Sequence, residues 1–354
     1  RSPVTPLSPE LTPNASGGLT LGSAVVVREP VGVVAAISPY NFPFFLNIGK
    51  VVPALAAGCT VVLKPSPYTP MEALILGEAA DEAGLPKGVL NVVHGGKECV
   101  DALLTHPKIR AISFVGSSPV AKYIFETGTQ HGKRVQSAGG AKNYVFVLPD
   151  ADFGNSVTGL VDAAFGCAGQ RCMAGSTAVT IGRAADQLLP PLTEAARAIK
   201  VGATDRDPGA KMGAVISAQH RDKVLALLEG SVKEGAKLAV DGRGVQVPEQ
   251  PKGFYLGPSI VDHVRPGMTI AKEEVFGPVL NVMRFDDLDA AIETANQTIF
   301  GNGACIYTQS GKAAREFRHR IKAGMVGINV GVPAPLAYFP FSGWDYSFFG
   351  DLHL

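Results

Sequence analysis

The chain has 354 residues, 46% of them hydrophobic, and its 32 Lys and Arg balance 31 Asp and Glu to a formal net charge of +1. That length and apolar content suffice for two domains with buried cores, and the balanced charge argues against a nucleic-acid footprint or a polybasic membrane surface. No stretch is apolar for the ~20 residues that a spanning helix needs, since the longest, residues 51–63, is broken by Pro53 and Gly58.

Residues 1–18 are rich in Pro, Ser and Thr and read as a loop or connecting segment. From Gly18 onward short apolar runs alternate with helical stretches. Strands are predicted at 24–28, 31–38, 60–64, 90–93 and 111–115, and helices at 44–57, 70–83, 99–105 and 119–128. Strands alternating with helices of this length imply right-handed βαβ units and a parallel sheet. A second α/β region begins near Asn143, with strands at 145–148, 178–181 and 280–284 and helices at 217–234, 288–296 and 311–322.

Five cysteines (Cys59, Cys99, Cys167, Cys172, Cys305) lack CxxC pairing. In a chain this long they imply reduced thiols and an intracellular setting: the cytoplasm, or the mitochondrial matrix in a eukaryote. The first residue is Arg1 rather than Met, so targeting signals are not read from this sequence.

Several short motifs carry candidate chemistry. Gly169-Gln170-Arg171-Cys172 lies between a helix and a strand. A cysteine in such a turn can be exposed, with the Arg171 cation favouring its thiolate or holding an anionic substrate; read blandly, it is a buried thiol. In Pro39-Tyr40-Asn41-Phe42-Pro43, at a strand's end, the Asn41 amide is a candidate oxyanion donor, although Asn between prolines is also common turn chemistry. Ser38 just before it and Lys64 at the next strand's end are candidate cofactor contacts. In Phe114-Val115-Gly116-Ser117 a strand opens into a helix whose amides suit a phosphate. Glu273 to Pro278 offers a carboxylate, Glu274, for a ribose hydroxyl and a ring, Phe276, for an apolar cofactor face. The seven histidines show no metal-ligand spacing, so no metal is expected. Asn14-Ala-Ser16 and Asn296-Gln-Thr298 match the glycosylation sequon, a pattern short enough to arise by chance.

Together and in this order, PYNFP, LKPS, GLPKGVLNVV, FVGSS, GQRC and EEVFGPV make the chain resemble the aldehyde dehydrogenase superfamily from about Gly18 to the C-terminus. The stretches His131–Gln136, Gly140–Asn143 and Gly169–Ala174, with the ending from Phe341 to Asp351, look most like its CoA-acylating methylmalonate-semialdehyde branch. The resemblance implies an α/β fold with a Rossmann-like cofactor domain, an α/β catalytic domain and a small β element that joins subunits into homodimers or homotetramers. Expected divisions are a loop and part of the oligomerisation element at 1–28, a dinucleotide-binding domain lacking its N-terminal part at 29–142, a catalytic domain at 143–340 and the start of a C-terminal segment at 341–354.

Carried over by position, the resemblance makes Cys172 the nucleophile and Asn41 the oxyanion donor. Lys64 falls on the adenosine ribose, Gly116 and Ser117 on the pyrophosphate, and Glu274 and Phe276 on the nicotinamide ribose. Arg171 falls on the substrate carboxylate. The implied co-substrates are an aldehyde, NAD and CoA, with no nucleic acid and no membrane. Two departures stand out. Where hydrolytic members carry a general-base Glu, the stretch Ser137–Gly140 has Ala138, which cannot deprotonate water. Where many NAD-specific members carry a Glu that would repel a 2′-phosphate stands Pro67, so NADP use stays open.

The leading expectation is therefore oxidation of malonate or methylmalonate semialdehyde through a thiohemiacetal and thioester on Cys172, with decarboxylation and transfer to CoA. The rivals are a hydrolytic (semi)aldehyde dehydrogenase and a catalytically silent protein that keeps the fold. A low-pKa Cys172, labelled by iodoacetamide faster than the other four thiols, is expected to separate the enzyme from the silent protein.

Overall fold

The computed structural model describes residues 29–336 and 339–350, together with the backbone of four short strands ahead of them. Those strands, β1 (Thr5–Pro6), β2 (Glu10–Pro13), β3 (Leu19–Gly22) and β4 (Val25–Val26), form two antiparallel pairs, β1 with β4 and β2 with β3. The rest of the expected strand at 24–28, and Asp351 of the C-terminal landmark, lie outside the described residues. Contacts divide the chain into two units, one of Arg1–Phe114 with Glu126–Val135 and one of Val115–Phe125 with Gln136–Leu354.

In the first unit the uncharged run Val33-Val34-Ala35-Ala36-Ile37 suits a strand covered on both faces and forms β5 (Val33–Ile37). It leads into α1 (Pro43–Ala56), where Pro43 stands in the first turn and so sacrifices no helical N–H bond. β6 (Thr60–Lys64), α2 (Met71–Glu82), β7 (Leu90–Val92), α3 (Lys97–Thr105) and β8 (Ile109–Val115) follow, and then α4 (Ser118–Gln130), whose residues up to Phe125 count with the second unit. The strands are parallel in the order β7-β6-β5-β8, with Val33 opposite Thr60 and Ile37 opposite both Lys64 and Phe114. Strand order reverses between β5 and β8, and open α/β sheets bind ligands beyond the strand ends at such a point. Ser38 follows β5 there. The core beneath α1 and α2 is Ala36, Val51, Val61, Leu63 and Ala73.

The second unit receives the end of β9 (Arg134–Ala138) and continues with β10 (Tyr144–Val147), α5 (Phe153–Phe165), β11 (Thr177–Ile181), α6 (Ala184–Arg197), α7 (Ala218–Lys233), β12 (Lys237–Val240), β13 (Ser259–Asp262), α8 (Thr269–Lys272), β14 (Val279–Phe285), α9 (Leu288–Ala295), β15 (Phe300–Gly301), β16 (Gly303–Tyr307), α10 (Gly311–Arg320), β17 (Met325–Ile328), β18 (Trp344–Asp345) and β19 (Phe348–Gly350). Seven strands make one sheet in the order β12-β13-β14-β11-β10-β16-β17, parallel except for β12. Tyr-Val-Phe-Val of β10 and Thr-Ala-Val-Thr-Ile of β11 are buried throughout, as central parallel strands covered on both sides must be. Asp152, Ser217, Asp287 and Ser310 each cap a helix by accepting the backbone N–H three residues on. One sequon residue, Asn296, is tied down at both ends of its amide: Nδ2 donates to the Arg320 carbonyl and Oδ1 accepts from Lys322 N–H.

Candidate active site

Chemistry-bearing residues of the second unit gather at the N-terminal ends of adjacent strands. Asn143 precedes β10, Cys172 stands a few residues before β11, Asn302 precedes β16 and Glu274 to Gly277 precede β14. A small pocket is lined by Asn143, Gly169, Arg171, Cys172, Glu274 and Phe276, among others.

The turn that delivers Cys172 is strained. α5 ends at Phe165, and Cys167 (φ 53°, ψ 32°), Ala168 (φ 52°, ψ 37°) and Gly169 (φ 69°) then turn left-handed in succession. Left-handed backbone costs a residue with a Cβ on the order of 1–2 kcal/mol, so only surrounding contacts sustain two such residues. Gln170 supplies several: Nε2 donates to the Cys167 and Ala214 carbonyls and Oε1 accepts from Ile216 N–H. Gly169 must be glycine, because a Cβ there would overlap the Gly277 carbonyl.

This geometry corrects the expectation that Arg171 sustains a Cys172 thiolate. The Arg171 side chain folds back across Gly166, where a Cβ would meet its guanidinium, and Nη1 donates to the Asp162 backbone oxygen at 3.3 Å and carboxylate at 3.4 Å. Cys172 is half-buried, and burial together with the Glu274 carboxylate pushes its thiol up to about 11.

Burial also raises the Glu274 carboxyl above the usual carboxylate range, opposed by the Ala141 N–H that donates to Oε1 at 2.9 Å and by Lys142. Gly140 makes room for it, since a Cβ there would stand 2.5 Å from Oε2. Lys142 is buried, donates to the Ile270 and Glu273 carbonyls, and is lowered by burial to about 7. Phe276 takes a positive φ of 53°, and the His220 ring nitrogen Nε2 lies 2.7 Å from its carbonyl oxygen. Burial pulls His220 below its ordinary value.

The Gly116-Ser117 loop opens α4, but the Gly116 N–H is already given to the Ala138 carbonyl, leaving Ser117 exposed at the helix start. Ser118, which the motif reading passed over, braces the glycines instead. Its hydroxyl donates to the Tyr346 carbonyl at 2.6 Å and accepts from Gly140 N–H at 2.8 Å. Ser347 completes the clamp by donating to the Gly140 carbonyl and accepting from Gly301 N–H. Ala138, at the position where the resemblance would put a general-base acid, is buried and offers only a methyl group.

Three predicted residues belong to the first unit. Ser38 is buried, its N–H pairs with the Lys64 carbonyl, and its hydroxyl has no partner. Lys64 ends β6, with Nζ donating to the Pro65 carbonyl at 2.8 Å; burial lowers its pKa, opposed by Cys99. Asn41 is half-buried, just ahead of α1. An orphaned hydroxyl and a partly desolvated ammonium at a sheet's switch point fit the ribose and phosphate groups of a dinucleotide. Among the described residues no group of three or more His, Cys, Asp or Glu could hold a metal ion, and no helix is long and apolar enough to cross a membrane.

Residues 8–353 match the model of the aldehyde dehydrogenase family. Malonate-semialdehyde dehydrogenase 3 of Geobacillus kaustophilus is 53% identical over 326 residues, covering 92% of this chain and 67% of that protein. The malonate-semialdehyde dehydrogenase of Pseudomonas aeruginosa is 50% identical, covering 92% and 65%. The crystal structure of the Oceanimonas doudoroffii methylmalonate-semialdehyde dehydrogenase superposes with a TM-score of 0.90 at 47% identity, covering 92% of this chain and 66% of that one. A Sinorhizobium meliloti structure complexed with NAD, provisionally named for the same activity, gives 0.91 at 43% identity, covering 93% and 67%. The chain thus spans about two thirds of the length of these relatives. With the family model matched over nearly its whole length and the fold shared with solved members, the chain belongs to the aldehyde dehydrogenase family.

Proposed function

We propose that this chain forms the greater part of a CoA-acylating semialdehyde dehydrogenase acting on malonate or methylmalonate semialdehyde. The observation that carries the reading is a buried Ala138 at the position where the resemblance puts a hydrolytic enzyme's base. In this reading the Cys172 sulfur adds to the aldehyde carbonyl, and the Asn41 amide with the Cys172 N–H holds the oxyanion. NAD, when bound, supplies the hydride acceptor; Ser38, Lys64, the Gly116-Ser117 loop, Glu274 and Phe276 are the residues that would hold it. The thioester left on Cys172 meets no carboxylate at residue 138 able to activate water, and Glu274 is engaged by the Ala141 N–H and assigned to the cofactor. After the substrate carboxylate leaves as CO2, the acyl group therefore stays on Cys172 until the CoA thiol displaces it. The names of the similar proteins support the substrate class. The assembly we infer is a homodimer or homotetramer.

The test is NADH formation on rapid mixing of the protein with NAD and malonate semialdehyde, with and without CoA. A single-turnover burst that becomes steady only with CoA is expected. Steady turnover without CoA would discard the acylating reading and restore the hydrolytic one. Arg171→Leu is expected to raise KM about tenfold or more for carboxylated aldehydes, the scale of a lost charge-assisted hydrogen bond, and to change KM for propanal little. Equal effects on both would remove Arg171 from carboxylate binding and leave it a structural role beside Asp162.

A further inference from the structure

Cys172 is held by its main-chain carbonyl rather than by its side chain. Asn143 Nδ2 donates to that oxygen at 2.8 Å and Asn302 Nδ2 at 2.9 Å, from positions 29 and 130 residues away in sequence. Asn143 is buried and its amide is fully used: Nδ2 also donates to the Ala174 carbonyl at 2.9 Å, while Oδ1 accepts from Gly303 N–H at 3.0 Å. The Gly303 bond fixes which end of the amide faces Cys172, because an N–H can be met only by the oxygen. Asn302, also buried, gives its second proton to the Met173 thioether at 3.0 Å. Two buried side chains from the starts of β10 and β16 thus converge on one carbonyl of the turn ahead of β11.

That carbonyl shares its peptide unit with the Met173 N–H, and the backbone N–H groups of Cys172 and Met173 act to lower the Cys172 thiol, against the larger upward effects of burial and Glu274. Donation to the oxygen of an amide draws charge from its nitrogen and strengthens the N–H as a donor, the cooperative effect seen along hydrogen-bond chains. Charge that develops on the sulfur is met by this polarised N–H. The charged group facing Cys172 is Glu274, which opposes the thiolate. Arg171 is turned to Asp162, so the two asparagines supply what the adjacent cation does not.

We propose that Asn143 and Asn302 are positioning residues for the Cys172 nucleophile: they fix its main chain and, through the Cys172–Met173 peptide, favour its thiolate. The proposal rests on the reading of Cys172 as the nucleophile, but its test needs neither aldehyde nor cofactor. Iodoacetamide alkylation of Cys172 in the full chain is followed from pH 7 to 11 by the mass of its peptide, for the wild type, Asn302→Ala and the isosteric Asn302→Asp, with melting temperature measured alongside. Asn302 is the residue to change because it leaves the Asn143 bonds to Ala174 and Gly303 in place. Both variants are expected to alkylate about three- to tenfold more slowly at any pH below the midpoint, the scale of one neutral hydrogen bond, with the midpoint displaced upward. An unchanged rate–pH profile would overturn the proposal, whether or not the melting temperature falls, and leave the pair a purely structural role. A wild type that alkylates as described but makes no NADH from malonate semialdehyde would fail the proposed function while leaving this assignment standing.

Discussion

Beside Cys172 stands the Glu274 carboxylate, which together with burial raises its thiol. Glu274→Gln removes the negative charge and keeps the shape, so the Cys172 thiol should titrate lower. Alkylation at pH 8 should accelerate about threefold or more in that variant, and an unchanged rate would remove Glu274 as a cause. Cys172, Glu274 and Phe276 were legible as residues because GQRC and EEVFGPV are local signatures. Their electrostatic relation was not, because residues about a hundred positions apart set it. Arg171 illustrates the gap: adjacency in sequence suggested a thiolate partner, whereas the left-handed turn sends its guanidinium to Asp162. Asn302 had no signal at all, since the strand it precedes, β16, was itself not predicted and a lone Asn between glycines looks like any turn residue.

Elements act on the site through their ends. Ser217 caps α7 by accepting His220 N–H at 3.2 Å, and His220 in turn meets the Phe276 carbonyl. Ser217→Ala should cost about 1 kcal/mol of stability, read from the denaturant midpoint, and should raise KM for NAD more than it lowers kcat, because Phe276 loses its anchor. The turn after α5 makes a second test. Cys167 is exposed at φ 53°, so Cys167→Val should destabilise by roughly 1–2 kcal/mol, as a β-branched side chain there is strained, whereas Cys167→Gly should not. Apolar periodicity made the helices at 44–57, 70–83, 217–234 and 288–296 readable to within a residue or two of α1, α2, α7 and α9. α6 was unreadable in this way, because Pro190 and Pro191 stand inside it and only tertiary packing overrides their breaking tendency.

At the scale of the molecule, buried ionisable groups set the response to alkali. Lys50 in the first unit and Lys142 in the second are lowered by burial from 10.5 to about 7, so between those values the unfolded chain binds more protons than the folded one. Stability rises with pH across that window. Cys172 and Cys305, raised from 9.0 to about 11 and about 12, act oppositely above pH 9, where the unfolded thiols ionise first. The melting temperature should climb from pH 7 to near 9 and then level or fall, and Lys50→Met should flatten the climb. The α/β class and family were legible because alternating strands, helices and ordered motifs are one-dimensional signals; the strand order of the seven-stranded sheet was not, since its neighbours β14, β11, β10 and β16 are drawn from across 160 residues. The carbonyl of Cys172 inherits this non-locality. Its two donors arrive only when β10 and β16 have both docked beside the turn, one of them closing a loop of 130 residues. Contacts of such long separation come late in folding, so on refolding the thiol should acquire its native alkylation rate after helical signal has recovered, which makes Cys172 a reporter of the last stage of assembly.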